Sequence, residues 1–263
     1  MRNICLILAF CLAIPGCRPA VSSVEHHPGK GDAVFRYANP VLHLDYSDPD
    51  VCRVGEDYYL TASSFHCFPG LPVLHSRDLV HWRQIGAALT EYPGASFPEE
   101  DRDAFRGRVS AGNGVWAPAI RYHDGWFHIF CGDPDRGIFM VRAQDPAGPW
   151  SEPVWLLRGK GFIDPCPLWD SDGKAYLSHA AAGSRAGLKS VLFMAEMAPD
   201  GTRLLGPSRI VYDGHLTQPT IEGTKLYRWD GGVTSSLPRA ASPRAGRRFC
   251  APAAPGGRLR SAW

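Results

Sequence analysis

Apolar and polar residues along this chain alternate in short runs with a period near two, broken by Gly, Pro and Asp. DPDVCRVGEDYYLTAS from Asp48, APAIRYHDGWFHIFCG from Ala117 and DPCPLWDSDGKAYLSHA from Asp164 share one layout. Each has a Pro-containing start, a short apolar strand, an acidic or Asp-Gly turn, and an aromatic-rich strand, which is the signature of a hairpin. IEGTKLYRWDG aligns as a shorter fourth copy, with Glu222 in the first position. After the first three hairpins come HSRDLVHWRQIG, VRAQDPAGPWSEPVWL and MAPDGTRLLGPSRIV, each a strand, a polar turn and another strand. Four strands per repeating unit predict a β-propeller. A β-sandwich with fortuitous Asp-Gly turns is the competing arrangement.

In a propeller the innermost strand of every blade lines the central channel, so equivalent strand starts converge on the axis. The aligned starts are Asp48, Ala117, Asp164 and Glu222, which brings three carboxylates to one axial pocket. Clustered carboxylates repel, so their pKa values separate and one group stays protonated while another stays ionised. Two such groups flanking a bond are the minimum apparatus of glycoside hydrolysis, and a third can orient the acid. Phe65, Phe68, Trp116 and Trp169 lie close in sequence to these positions, either as walls for a sugar ring or as ordinary core. Pro165 and Pro167 are expected to hold the chain extended around Asp164 and to remove backbone donors there.

The chain has 263 residues, 44% hydrophobic and 21% charged, with a formal charge of +2, so no polyanionic partner such as nucleic acid is implied. MRN followed by ICLILAFCLAI reads as a secretory signal over residues 1–17, too short for a membrane span. Residues 13 to 17 resemble a bacterial lipobox, which makes Cys17 the expected site of acylation and the protein an exported lipoprotein, periplasmic or anchored to the outer membrane. Residues 18–35 mix Pro, Gly, Ser and charge and read as a linker, with His26 and His27 as solvated residues within it. Of eight cysteines, Cys52, Cys67, Cys131 and Cys166 fall in the body without metal-like spacing and are expected to be small core residues. GxSxG, HExxH and phosphate-loop motifs are absent from the sequence, and His179 is expected to be a hydrogen-bonded structural histidine.

NPVLHLDYSDPDVCRVGEDYYLTAS, FPGLPVLHSRDLVHW, GVWAPAIRYHDGWFHIF, GFIDPCPLWDSDGKAYL and PTIEGTKLY resemble successive motifs of glycoside hydrolase family 43, the β-xylosidase and α-L-arabinofuranosidase group. The resemblance implies a five-bladed β-propeller, of which about three and a half blades are encoded over residues 36–232. It also implies inversion at the anomeric carbon and action on xylose- or arabinose-containing oligosaccharides, as in xylan degradation. By the same resemblance Asp48 matches the general base, Asp164 the carboxylate that tunes and orients the acid, and Glu222 the general acid. Phe65 and Trp116 fall where the family lines its terminal sugar pocket. Thr224 stands where relatives commonly carry proline. No cofactor and no metal ligand set is expected from the residues, although the resemblance admits a structural calcium in the channel.

From residue 233 the character changes to an aberrant basic, Arg-, Ala- and Pro-rich tail, 233–263, expected to be disordered. One back-translation of VTSSLPRAASPRAGRRFC, read two bases later, gives DFFTPAGGVATGWQTVLR, which alternates like a strand and resembles the family's continuation. A shifted reading frame near residue 232 is therefore expected, with an open ring of low stability and little turnover. The alternative to an inverting glycosidase is an inactive propeller or carbohydrate-binding remnant of one.

Overall fold

The computed structural model describes residues 37–93, 114–229, 232–237 and 247–250, the last two segments and residue 229 as backbone. The proposed signal, the Cys17 anchor, the linker and most of the basic tail lie outside the described residues. The chain divides into a unit Met1–His43, whose described part holds no strand or helix, and a main unit Leu44–Trp263.

The main unit is all-β, and its sheets follow the chain as simple antiparallel meanders. β1 (Asp50–Val54), β2 (Asp57–Thr61), β3 (Gly70–Ser76) and β4 (Arg83–Leu89) form the first sheet, in that order. The second contains β5 (Trp116–His123), β6 (Trp126–Asp133), β7 (Gly137–Ala143) and β8 (Val154–Arg158). The third contains β9 (Phe162–Trp169), β10 (Ala175–Ala181), β11 (Val191–Met197) and β12 (Arg209–Asp213). β13 (Lys225–Trp229), β14 (Gly232–Leu237) and β15 (Arg247–Cys250) make a fourth sheet of three strands. β14 and β15 thus lie within or at the edge of the stretch expected to be disordered. GVTSSL supplies β-branched Val233 and Thr234, and its backbone pairs with β13 from Lys225↔Ser236 to Trp229↔Gly232.

Turn chemistry sets the registers. Asp124 and Gly125 have φ of 47° and 80°, the positive pair that a two-residue type I′ hairpin requires, and His123 faces Trp126 across it. β5 packs against both β1 and β9, and β9 packs against β13, so the first strands of the four sheets neighbour one another in chain order. Burial is deepest in the middle strands rather than the first ones. β6 and β7 are buried almost throughout, whereas the outermost strands β4, β8 and β12 are largely exposed or half-buried.

Separate apolar layers hold neighbouring sheets together. Leu71, Val73, Ile120, Ile129 and Phe139 join the first sheet to the second. Phe130, Ile138, Met140, Leu177 and Met197 join the second to the third. Each such fully buried side chain contributes about 1.5–3 kcal/mol. Ala119, Cys166, Leu168 and Leu226 bring β5, β9 and β13 together, and this layer fixes the geometry of the site above it.

Candidate active site

The three aligned strand starts that precede a proline share a backbone state. Asp48, Ala117 and Asp164 have φ of 49°, 42° and 54°, in the left-handed region. Sterics favour extended backbone before proline, so the expectation that the chain runs extended at Asp164 is corrected here. At Ala117 and Asp164 the physical cause is an irregularity in strand pairing. The β5–β6 register shifts between Trp116 and Ala119, and the β9–β10 register shifts opposite Asp164, between Ser178 and Ala180. The left-handed residue takes the side chain out of strict alternation and turns it to the channel mouth, at a cost of about 1–2 kcal/mol each.

These residues line a cavity of about 640 Å³ together with Glu222, Phe65, Trp116 and Lys225. Asp48 is exposed, Glu222 half-buried and Asp164 buried. Ser63 Oγ donates to Asp48 Oδ2 at 2.8 Å and accepts the Ala117 N–H at 2.8 Å, which ties the Asp48 carboxylate to the second sheet. The Gly223 N–H donates to Asp164 Oδ2 at 2.6 Å. Burial, with the neighbouring Glu222 and Asp48 charges, pushes Asp164 up to about 7, against the opposing pull of the Gly223 N–H and Lys225. Burial, then Asp48, raises Glu222 as well. Ala117 holds the equivalent place in the second sheet with only a methyl group, which leaves space between the carboxylates.

One wall is aromatic. Phe65 and Trp116 meet edge to face with centroids 6.2 Å apart. The Arg185 guanidinium lies 5.6 Å from the Trp116 ring centre, and its Nε donates to Asp135 Oδ1 at 3.1 Å. Arg185 belongs to the single helical turn Gly183–Ala186, whose first residues also border the cavity.

Beneath the carboxylates the channel is filled by charge. Asp50, buried, accepts the Ile120 N–H at 2.9 Å and Arg121 NH1 at 2.5 Å. Arg121 NH2 reaches Cys166 Sγ at 3.0 Å and the Leu226 carbonyl at 3.3 Å. Lys225 Nζ donates to the Pro118 carbonyl at 2.8 Å and lies 4.0 Å from Asp50 Oδ1. A calcium needs six to eight oxygen ligands. Among the described residues no group of three or more His, Cys, Asp or Glu side chains is arranged to hold a metal, and two cations already occupy this level of the channel.

Phe68 and Trp169 are not at the cavity. Phe68 packs into the layer between the first two sheets, against Tyr92. Trp169 closes the opposite end of β9, stacked on His123 with Nε1 donating to the Pro199 carbonyl. His179 is fully buried, stacked on Phe193 and hydrogen-bonded to Ser208 Oγ at 2.9 Å, and burial lowers it to about 4. Cys131 and Cys166 are buried, Cys52 is half-buried and Cys67 is exposed, so the core expectation fails at Cys67, which sits in the loop before β3. Thr224 is buried with its hydroxyl unpartnered. Ser63, Lys225 and the turn at residues 182–184 were missed by sequence reasoning. Only Lys225, three positions after Glu222 in the same motif, offered a signal.

The fold and the site together define a β-propeller protein with a carboxylate-lined axial pocket. Residues 37–234 match the model of glycosyl hydrolases family 43, and the chain belongs to that family. It is 44% identical over 144 residues to a non-reducing end alpha-L-arabinofuranosidase of Bacteroides ovatus, covering 53% of this chain and 25% of that protein. It is 32% identical over 226 residues to a beta-xylosidase of Formosa agariphila, covering 81% of this chain and 37% of the relative. Among solved structures, a xylan beta-1,4-xylosidase from Bacillus halodurans superposes with a TM-score of 0.63 at 29% identity, covering 80% of this chain and 43% of that one. The chain therefore spans little more than a third of the length of these curated relatives, at most.

Proposed function

We propose that this pocket hydrolyses glycosidic bonds of terminal xylose or arabinose units in oligosaccharides, with inversion. The observation that carries the reading is the convergence of Asp48, Asp164 and Glu222, from three different sheets, on one cavity beside the Phe65–Trp116 wall. Names of relatives, an arabinofuranosidase and xylosidases, support the substrate class.

In this scheme Asp48 is the base. It takes a proton from a water whose oxygen attacks the anomeric carbon. Glu222 gives its proton to the leaving glycosidic oxygen as the carbon–oxygen bond breaks, so no charge is left on the alcohol. Burial of both Asp164 and Glu222 suits that task, because a raised pair of coupled carboxyls retains one proton towards neutral pH. Asp164 holds the Gly223 N–H and so orients the segment that carries Glu222. The charged plug of Asp50, Arg121 and Lys225 closes the channel below, which suits entry of a chain end from one side. Tethering through Cys17 outside the cytoplasm belongs to the same proposal and is supported by the lipobox-like sequence.

A second reading, sugar binding without turnover, is favoured by the fourth sheet having three strands among the described residues. Glu222→Gln separates the two. Under the hydrolase reading the variant loses turnover and keeps sugar binding; unchanged hydrolysis would end the assignment of Glu222.

A further inference from the structure

Lys225 is the one cation among the described residues that line the pocket, and its surroundings hold it there. Its side chain leaves β13 and donates to the Pro118 carbonyl on β5 at 2.8 Å. Asp50 on β1 lies 4.0 Å away and does not consume its charge, because Arg121 on β5 holds Asp50 far more closely, at 2.5 Å. The side chain is only 17% exposed, so water screens its field weakly. Three carboxylates face the same cavity with no other positive side chain among its described lining residues.

We propose that Lys225 is the counter-cation of the carboxylate pocket, a positioning residue whose fixed ammonium sets how readily the Asp164–Glu222 pair releases its proton. The groups around that pair are known. Asp164 is faced by Glu222 ahead of β13, by Asp48 ahead of β1 and by Lys225 itself; the β5 lining, Trp116 and Ala117, is uncharged. Lys225 in turn is faced by Asp50 on β1, by Asp164 on β9 and by the buried Cys131 thiol on β6, with Arg121 beyond Asp50. Lys225 favours the ionised form of Asp164 while burial and the two carboxylates oppose it. The lysine thus keeps the pair from holding both protons, which would leave the site without a charge to orient the acid.

The inference deepens the glycosidase reading and rests on it only for its consequence in catalysis. Its test is a substrate-free NMR titration of isotope-labelled aspartate in the full chain, with the Asp164 signal assigned through Asp164→Asn. Lys225→Gln keeps an N–H donor and removes the charge, and is expected to move the Asp164 midpoint upward by about one pH unit. Lys225→Arg restores the charge and is expected to bring the midpoint back to within a few tenths of the original. An unmoved midpoint in a folded Lys225→Gln chain, or an equal shift in Lys225→Arg, overturns the proposal. Should glutamine prevent folding, Lys225→Met supplies the neutral variant; failure of both while arginine folds makes Lys225 a structural clamp and likewise overturns it. A shift without any hydrolysis retains the counter-cation and sinks the glycosidase reading, and hydrolysis without a shift does the reverse.

Discussion

The Gly223 backbone N–H donates to Asp164 Oδ2 across 2.6 Å, which fastens the third sheet's buried carboxylate to the residue next to Glu222. Two acidic groups that repel each other are thereby kept on one pocket by a hydrogen bond to backbone. Their proton affinity and their geometry cannot be varied separately.

The burial of that carboxylate beside Glu222, which outweighs the Gly223 hydrogen bond, makes stability depend on pH. Burial, then Glu222, lifts Asp164 to about 7 in the folded chain, against about 3.9 in an unfolded one. The folded state binds more protons between those values, so this group's contribution is fully present below about pH 4 and is lost as pH rises through about 7. Urea unfolding is expected to show a loss of up to about 3 kcal/mol from this group between pH 5 and pH 8. Asp164→Asn should flatten that slope; an identical slope in the variant contradicts the assignment.

Ser63 connects the Asp48 carboxylate to the Ala117 N–H, 2.8 Å on either side. Ser63→Ala removes the donor to Asp48 and leaves the amide of a strained residue without its acceptor, at about 1–3 kcal/mol. The expected kinetic outcome is a fall in kcat of about tenfold with KM nearly unchanged, since the substrate wall is untouched. A rise in KM alone would show that Ser63 serves binding.

The Phe65–Trp116 wall is expected to act in the opposite sense. Trp116→Ala deletes the ring that meets Phe65 at 6.2 Å and supports Arg185. KM for a terminal pentoside should rise by about tenfold with kcat less affected, the pattern of lost uniform binding. Equal losses in kcat and kcat/KM would place Trp116 against the reacting bond instead.

Away from the pocket, Asp133 is fully buried and is held by Arg136 NH1 at 2.9 Å and by Tyr92 OH at 2.5 Å. Arg136→Ala leaves a buried carboxylate without its cation and is expected to cost about 3–5 kcal/mol, read as a lowered midpoint in denaturant. A loss below about 1 kcal/mol would mean that the Tyr92 hydroxyl and the Asp135 N–H satisfy Asp133 without the cation.

The sequence made the hairpins and the aligned acidic positions legible because alternation and Asp-Gly turns are local signals. Asp124-Gly125 predicts a tight turn, and both residues have the positive φ it needs. The left-handed backbone at Asp48, Ala117 and Asp164 was hidden, because a proline that follows argues for extension; at Ala117 and Asp164 a register shift against the partner strand overrides it. Phe68 and Trp169 were near the carboxylates in sequence yet belong to core and to the far strand end, since adjacency along a strand does not give its direction. The charge beneath the pocket was hidden for a related reason. Arg121 lies in the inner strand of the second sheet and finds Asp50 on the neighbouring sheet, a pairing that only the packing of β5 against β1 creates.

The central claim is that Glu222 protonates the leaving oxygen while Asp48 activates water. The most direct measurement compares the chain with its Glu222→Gln variant on an unactivated xylose or arabinose disaccharide and on the corresponding nitrophenyl glycoside, following the first-formed anomer by NMR. Whatever the starting rate, the account predicts a loss on the disaccharide on the order of a hundredfold or more, a much smaller loss on the nitrophenyl substrate, whose leaving group needs little protonation, and an inverted first product. Equal losses on both substrates, an unaffected rate, or a retained anomer would contradict it.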